Sequence, residues 1–148
     1  MGCVAMKRTE RRSDCPINFA LETFGDTWSL LVIRDLMFQD KHTYTDFLKS
    51  EECIATNILA NRLRRLEKSG LIRRRGSGRG AAYALAEKGL DLLPMVAEMI
   101  IWSAKYDRHT AAAPDFVARL RTDRRGMLAE LRANLRRTHG LPLPGRRR

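Results

Sequence analysis

The chain has 148 residues, 44% hydrophobic and 30% charged, enough for one globular domain with a core of its own. A net charge of +11 and a pI near 10.4 favour an acidic polymer as partner over an anionic membrane surface. No run of about 18 apolar residues is present, so no transmembrane helix is expected.

Residues 1–13 read as a flexible basic arm. This stretch lacks a signal-peptide apolar core, and Met6 stands where a myristoylation motif needs Ser or Thr. The expectation is a cytoplasmic protein that does not engage membranes. Cys3, Cys15 and Cys53 are too few and too scattered for a disulfide framework, and no Cys/His spacing suggests a metal. No cofactor is expected.

Asp14-Cys15-Pro16 looks like a helix start, with Cys15 as cap and Pro16 in the first turn. Ile17, Phe19, Ala20, Leu21 and Phe24 then form a short apolar helix that Gly25 ends. Asp26 or Thr27 can cap the next helix, Trp28–Phe38, with Trp28, Leu31, Val32 and Leu36 toward the core. Trp28 reads as a core anchor rather than a stacking platform. His42, alone in a turn, reads as solvated or phosphate-touching.

Thr43-Tyr44-Thr45-Asp46 has the form of a capping box and opens a helix over 43–50. After a turn, the spacing of Ala55, Leu59, Leu63 and Leu66 predicts a helix over 55–69 with one apolar face. The opposite face carries Asn57, Asn61, Arg64 and Lys68, flanked by Thr56 and Arg65. Ser69-Gly70 ends this helix. Leu71 to Arg75 and Ala81 to Ala86 then read as two strands around a tip of Gly76, Ser77, Gly78, Arg79 and Gly80. Helix, turn, helix and basic hairpin make a winged helix-turn-helix, mainly α with a small β wing. Residues 62–79 hold eight basic side chains against Glu67 alone. A single-sign cluster on a helix and the adjoining turn fits a phosphate backbone better than a plain solvated surface, which mixes its signs.

A helix from Glu87 to about Tyr106 is apolar on more than one face, and a second copy of the chain is the simplest cover. Pro94 should kink it. Residues 114–138 read as one amphipathic helix with an arginine-rich outer face, and residues 139–148 as a disordered basic tail.

These segments resemble the HxlR-type (YybR-type) winged-helix transcriptional regulators of bacteria. The resemblance rests on Asp14-Cys15-Pro16, Gly25-Asp26-Thr27-Trp28, Tyr44 to Leu48 and Ile54 to Leu59. It continues through Leu63, Leu66, Glu67, Gly70-Leu71-Ile72, Tyr83-Ala84-Leu85, Glu87-Lys88-Gly89, Leu93-Pro94 and Trp102. It covers roughly residues 14–106, a winged-helix DNA-binding and dimerisation domain, and leaves the arginine-rich segment from Phe116 outside. Thr27 and Ala86 depart from the usual basic residue and Thr. The resemblance implies a homodimer, joined through the first and post-wing helices, that regulates transcription as repressor or activator on double-stranded operator DNA. It also implies that the cysteine before the proline, here Cys15, is a candidate sensor of electrophiles or oxidants. A small-molecule or oxidant effector is thus a possible partner.

In such a fold the second helix of the pair enters the major groove. Thr56, Asn57 and Asn61 are then candidates for base edges, since Asn pairs with adenine and Thr meets a thymine methyl. Arg64, Arg65, Lys68, Arg74 and Arg79 are candidates for phosphate or groove contact, and Thr43 joins the set. The blander readings are a local cap for Thr56 and a mobile tip for Arg79. Cys15 lies at a helix start near Arg11 and Arg12, which favours thiolate, while Asp14 opposes; the alternative is an inert thiol. Cys53 is either its resolving partner across a dimer or a small apolar residue, with Cys3 a second choice of partner. The rival function is non-specific nucleic-acid binding, as in a nucleoid or RNA-binding protein. An enzyme is not expected, because no nucleophile triad, carboxylate pair or phosphate loop appears.

Overall fold

The computed structural model describes residues 11–143. Helix α1 spans Pro16–Phe24, α2 Ser29–Phe38, α3 Tyr44–Leu48 and α4 Thr56–Lys68. Strands β1 (Ile72–Arg75) and β2 (Ala82–Leu85) follow, joined through a short 3-10 turn at Gly78–Gly80. Then come α5 (Glu87–Leu90), α6 (Leu93–Tyr106), α7 (Pro114–Thr122) and α8 (Arg124–Thr138). No helix among the described residues is long and apolar enough to cross a membrane.

Local chemistry sets the boundaries. Cys15 occupies the cap position of α1, but its side chain makes no capping bond; its own N–H donates to Ser13 Oγ at 3.4 Å. Neither Asp26 nor Thr27 is the cap residue of α2, a place Trp28 takes without a side-chain cap. Asp26, in the turn before it, accepts at Oδ1 from the N–H groups of Trp28 (2.9 Å) and Ser29 (3.0 Å). Thr43 and Asp46 form the expected capping box on α3. Gly70 ends α4 with φ of 74°, a conformation that costs glycine nothing.

The core joins the helix-turn-helix to the wing. Ile33, Leu36, Phe47, Leu59, Leu63 and Leu85 are among its fully buried members. β1 and β2 pair antiparallel, with Ile72 opposite Leu85 and Arg75 opposite Ala82. The hairpin's base is buried and its tip exposed.

Three expectations need correction. The post-wing helix is not continuous: α5 ends at Leu90, and α6 begins at Leu93 with Pro94 in its first turn. There the missing N–H is no loss, so the proline starts a helix instead of kinking one. The segment over 114–138 is likewise two helices. Asp123 leaves helical geometry (φ −132°, ψ 55°), and its carboxylate accepts from the Gly126 N–H at 3.1 Å, capping α8. The 139–148 segment does not start as a loose tail: His139 is 0% exposed. Residues 144–148, like 1–10 of the N-terminal arm and Cys3 within it, lie outside the described residues.

The surplus apolar surface of α6 is divided. Leu93, Val96 and Ala97 are buried, and Ile100 and Ile101 pack against the cluster of Ala97, Leu120 and Met127. The C-terminal helices therefore cover one side that the sequence assigned to a second copy. Met99, Trp102 and Tyr106 stay exposed, the last two at 66%. Helix α1 exposes Ile17, Phe19 and Leu21.

Candidate nucleic-acid interface

Helix α4 separates its faces cleanly. Leu59, Leu63 and Leu66 are buried, while Thr56, Asn57, Asn61, Arg64, Arg65 and Lys68 are exposed. Ala55 of the expected apolar stripe is instead the exposed cap residue. Asn57, Asn61, Arg64 and Lys68 fall at helical spacings of three and four, so they share one exposed side. Arg65 and Lys68 occupy the last turn, where they also suit the negative end of the helix dipole.

The helix is held at both ends. Tyr44 on α3 donates its hydroxyl to the Thr56 carbonyl at 2.8 Å, fixing the start of α4. Further along, Arg62 Nε lies 3.0 Å from Asp26 Oδ1, bracing α4 on the turn between α1 and α2. Burial pushes the Asp26 carboxyl up, but the Ser29 hydroxyl, the Trp28 and Ser29 N–H groups and Arg62 together bring it below its ordinary value.

The turn before α4 is tied to α2 by charge. Arg34 bonds to both Asp35 and Glu52, and Lys41 donates to Ser50 Oγ (2.7 Å), whose hydroxyl in turn donates to the buried Asp35. The Arg34 hydrogen bonds hold Glu52 at about 2, against a smaller upward push from burial. Cys53 sits in this turn with φ of 55°, exposed, its Sγ 3.3 Å from the Glu51 carbonyl.

The wing is anchored on two sides. The Tyr83 N–H donates to the His42 carbonyl (2.6 Å), Thr43 bridges to Ala82, and His42 Nδ1 lies 3.3 Å from the Tyr83 carbonyl. His42 is therefore a half-buried structural residue, with Nε2 2.8 Å from Asp40 Oδ1. Thr43 is half-buried as the α3 cap, beside the wing. On the other side Arg73 and Arg75 donate to the carbonyl of His139.

The eight basic residues thus divide by role. Arg62, Arg73 and Arg75 hold protein groups. Arg64, Arg65 and Lys68 stand exposed on α4, and Arg79 is exposed at the wing tip. Arg74 is also exposed, its guanidinium 3.4 Å from the Gly78 carbonyl of that tip. All nine candidate DNA contacts lie on α4, the wing or the adjoining start of α3. The sequence missed the Tyr44 clamp and the His139 anchor; no spacing signal marks a lone histidine after a helix as a core residue. Cys15 and Cys53 are both free, exposed thiols. Among the described residues no group of three or more His, Cys, Asp or Glu is placed to hold a metal.

An α3–turn–α4 pair with a basic hairpin beside it defines a winged helix-turn-helix regulator. The sequence profile of the HxlR-like helix-turn-helix family matches residues 23–111, and the chain belongs to that family. It is a helix-turn-helix transcriptional regulator. It is 30% identical over 95 residues to YdeP, an uncharacterized HTH-type transcriptional regulator of Bacillus subtilis (strain 168), covering 62% of this chain and 73% of YdeP. Its fold is similar to the crystal structure of PA1607, a candidate transcription factor, with TM-score 0.58, 34% identity and 71% of each chain covered. It is also similar to the redox regulator HypR in its oxidized form, with TM-score 0.56, 27% identity, 63% of this chain and 98% of HypR.

Proposed function

We propose that this regulator acts as a cytoplasmic homodimer that reads operator DNA with α4 in the major groove. Thr56, Asn57 and Asn61 face base edges, while Arg64, Arg65 and Lys68 grip phosphate. The wing adds Arg74 and Arg79 to the backbone contacts, and Thr43 adds a contact from the start of α3. The observation that carries this reading is the exposed row on α4: two amides near its start, then a cluster of cations, opposite a buried leucine face.

The dimer joins α1 and α6, because Ile17, Phe19 and Leu21 on one and Met99, Trp102 and Tyr106 on the other leave apolar surface in water. Two reading helices then address half-sites roughly 34 Å apart on a near-palindrome. Selection of bound duplexes from a random pool tests this. Enrichment of a palindromic sequence supports it; recovery of unenriched DNA supports the rival non-specific binder.

A second element is redox control through Cys15. Its exposed thiol begins α1, next to the apolar face assigned to the dimer, and the oxidized form of a redox regulator has a similar fold. Modification there, or a disulfide to Cys53 across the dimer, displaces α1 and with it the spacing of the reading helices.

A further inference from the structure

The C-terminal helices lie beyond the family match at residues 23–111, yet their last residues reach the wing. His139 is fully buried at the end of α8, and its two ring nitrogens and its carbonyl bond to three other elements. Its Nδ1 accepts the Leu85 N–H of β2 at 3.1 Å, which leaves the ring proton on Nε2. Nε2 donates to the Leu36 carbonyl of α2 at 3.0 Å. Its own carbonyl, at the negative end of α8, accepts from Arg73 (2.6 Å) and Arg75 (2.9 Å) of β1.

The following residues secure this arrangement. Gly140 turns with φ of 62°, and a Cβ there would lie 2.7 Å from Arg75 Nη2. The Leu141 N–H returns to the Arg136 carbonyl at 2.8 Å. Arg136 itself is buried and bonds to Glu87 of α5 and to the Pro142 carbonyl. The strap is thus closed on α5 on one side and on the wing on the other.

We propose that His139 is a positioning residue for DNA binding. It latches the base of the wing to α2 and keeps Arg73 and Arg75 on its carbonyl, so that the wing meets phosphate with Arg74 and Arg79. This rests on the reading of the wing as a DNA-contacting element. Two guanidinium groups adjacent to the DNA-facing tip are withheld, and loss of the latch hands them to the duplex.

The test uses the full chain, His139→Leu and Gly140→Ala in two measurements. The first is amide hydrogen exchange of the free protein. In His139→Leu the Leu85 amide is expected to lose at least about tenfold in protection, with α4 amides such as Leu63 unchanged. Gly140→Ala keeps the ring and should keep that protection. The second is the salt dependence of binding to a non-specific duplex, which does not require the operator. Each added phosphate contact steepens the log–log slope by about 0.9. Leucine keeps the main-chain carbonyl that holds Arg73 and Arg75, so their release requires that carbonyl to shift once the ring's bonds to Leu85 and Leu36 are gone. Between about 50 and 200 mM salt, His139→Leu should then lose about 12-fold more affinity than wild type. Gly140→Ala, which displaces Arg75 alone, should lose about 3.5-fold more. Unchanged Leu85 protection in His139→Leu overturns the latch. Unchanged slopes in both variants overturn the withholding. If wild type does not bind duplex DNA, the DNA-binding reading fails, and the exchange measurement alone decides whether His139 holds the wing.

Discussion

Replacing Trp102 with alanine probes the dimer. The indole is 66% exposed on α6 and its ring centroid lies 5.3 Å from that of Tyr106, also 66% exposed. An aromatic side chain offers about 150–250 Å² for burial, so about 130 Å² of this indole remains in water in one protomer. At ~25 cal/mol per Å², covering it contributes about 3 kcal/mol. A two-fold interface contains the residue twice, which gives about 6 kcal/mol if the partner covers it fully and about 3 if it covers half. The dimer dissociation constant should therefore rise by roughly 10²- to 10⁴-fold. Sedimentation equilibrium over a concentration series reads this directly. Wild type should run at twice 16.9 kDa at micromolar concentration, and Trp102→Ala should be largely monomeric there. Because Trp102 is an exposed residue, the variant's melting curve should change little once monomer is compared with monomer. A wild type that stays monomeric, or a variant that dimerises equally well, refutes the assignment of this face.

Three further outcomes follow from the same structure. Leu63→Ala removes a buried side chain from the face of α4 that meets the core, and should lower unfolding free energy by about 2–5 kcal/mol in urea titration. Burial holds the His139 imidazole below its ordinary 6.5, with His42, Arg73 and Arg75 also disfavouring charge and the Leu36 carbonyl opposing them. The unfolded chain therefore takes up this proton first. Stability is fully present above pH 6.5 and falls as the pH drops through that value toward the folded one. Urea midpoints between about pH 7.5 and about pH 5.5 should fall for wild type and vary less for His139→Leu. Diamide or a quinone should alter operator binding by wild type and not by Cys15→Ser; identical responses would make Cys15 structural.

Where the sequence was informative, periodicity and caps did the work. Leu59, Leu63 and Leu66 identify the buried face of α4 from spacing alone, so its exposed face is legible too. The Thr43 capping box and the Gly70 stop need only neighbouring residues, and both stand as read. What was illegible depends on side-chain contacts and helix breaks, near or far in the chain, that hydropathy spacing does not encode. The run of arginines at 73–75 looks uniform in sequence, yet strand alternation puts Arg73 and Arg75 on one side, where both donate to the His139 carbonyl, and Arg74 on the other. Asp123 breaks a long amphipathic pattern through one carboxylate. Pro94 changes meaning because α5 stops before it. The face of α6 covered by α7 and α8 (Ala97, Ile100, Ile101) and the face left bare (Met99, Trp102, Tyr106) are both apolar, so hydropathy alone does not separate them.

The most direct test of α4 as the reader compares Asn57→Ala, Asn61→Ala and Arg64→Ala on operator and on random duplex at fixed salt. Each asparagine variant should lose about 1–3 kcal/mol on operator and little on random DNA, while Arg64→Ala should weaken both alike. Equal losses on the two duplexes for all three variants would contradict sequence reading by this helix.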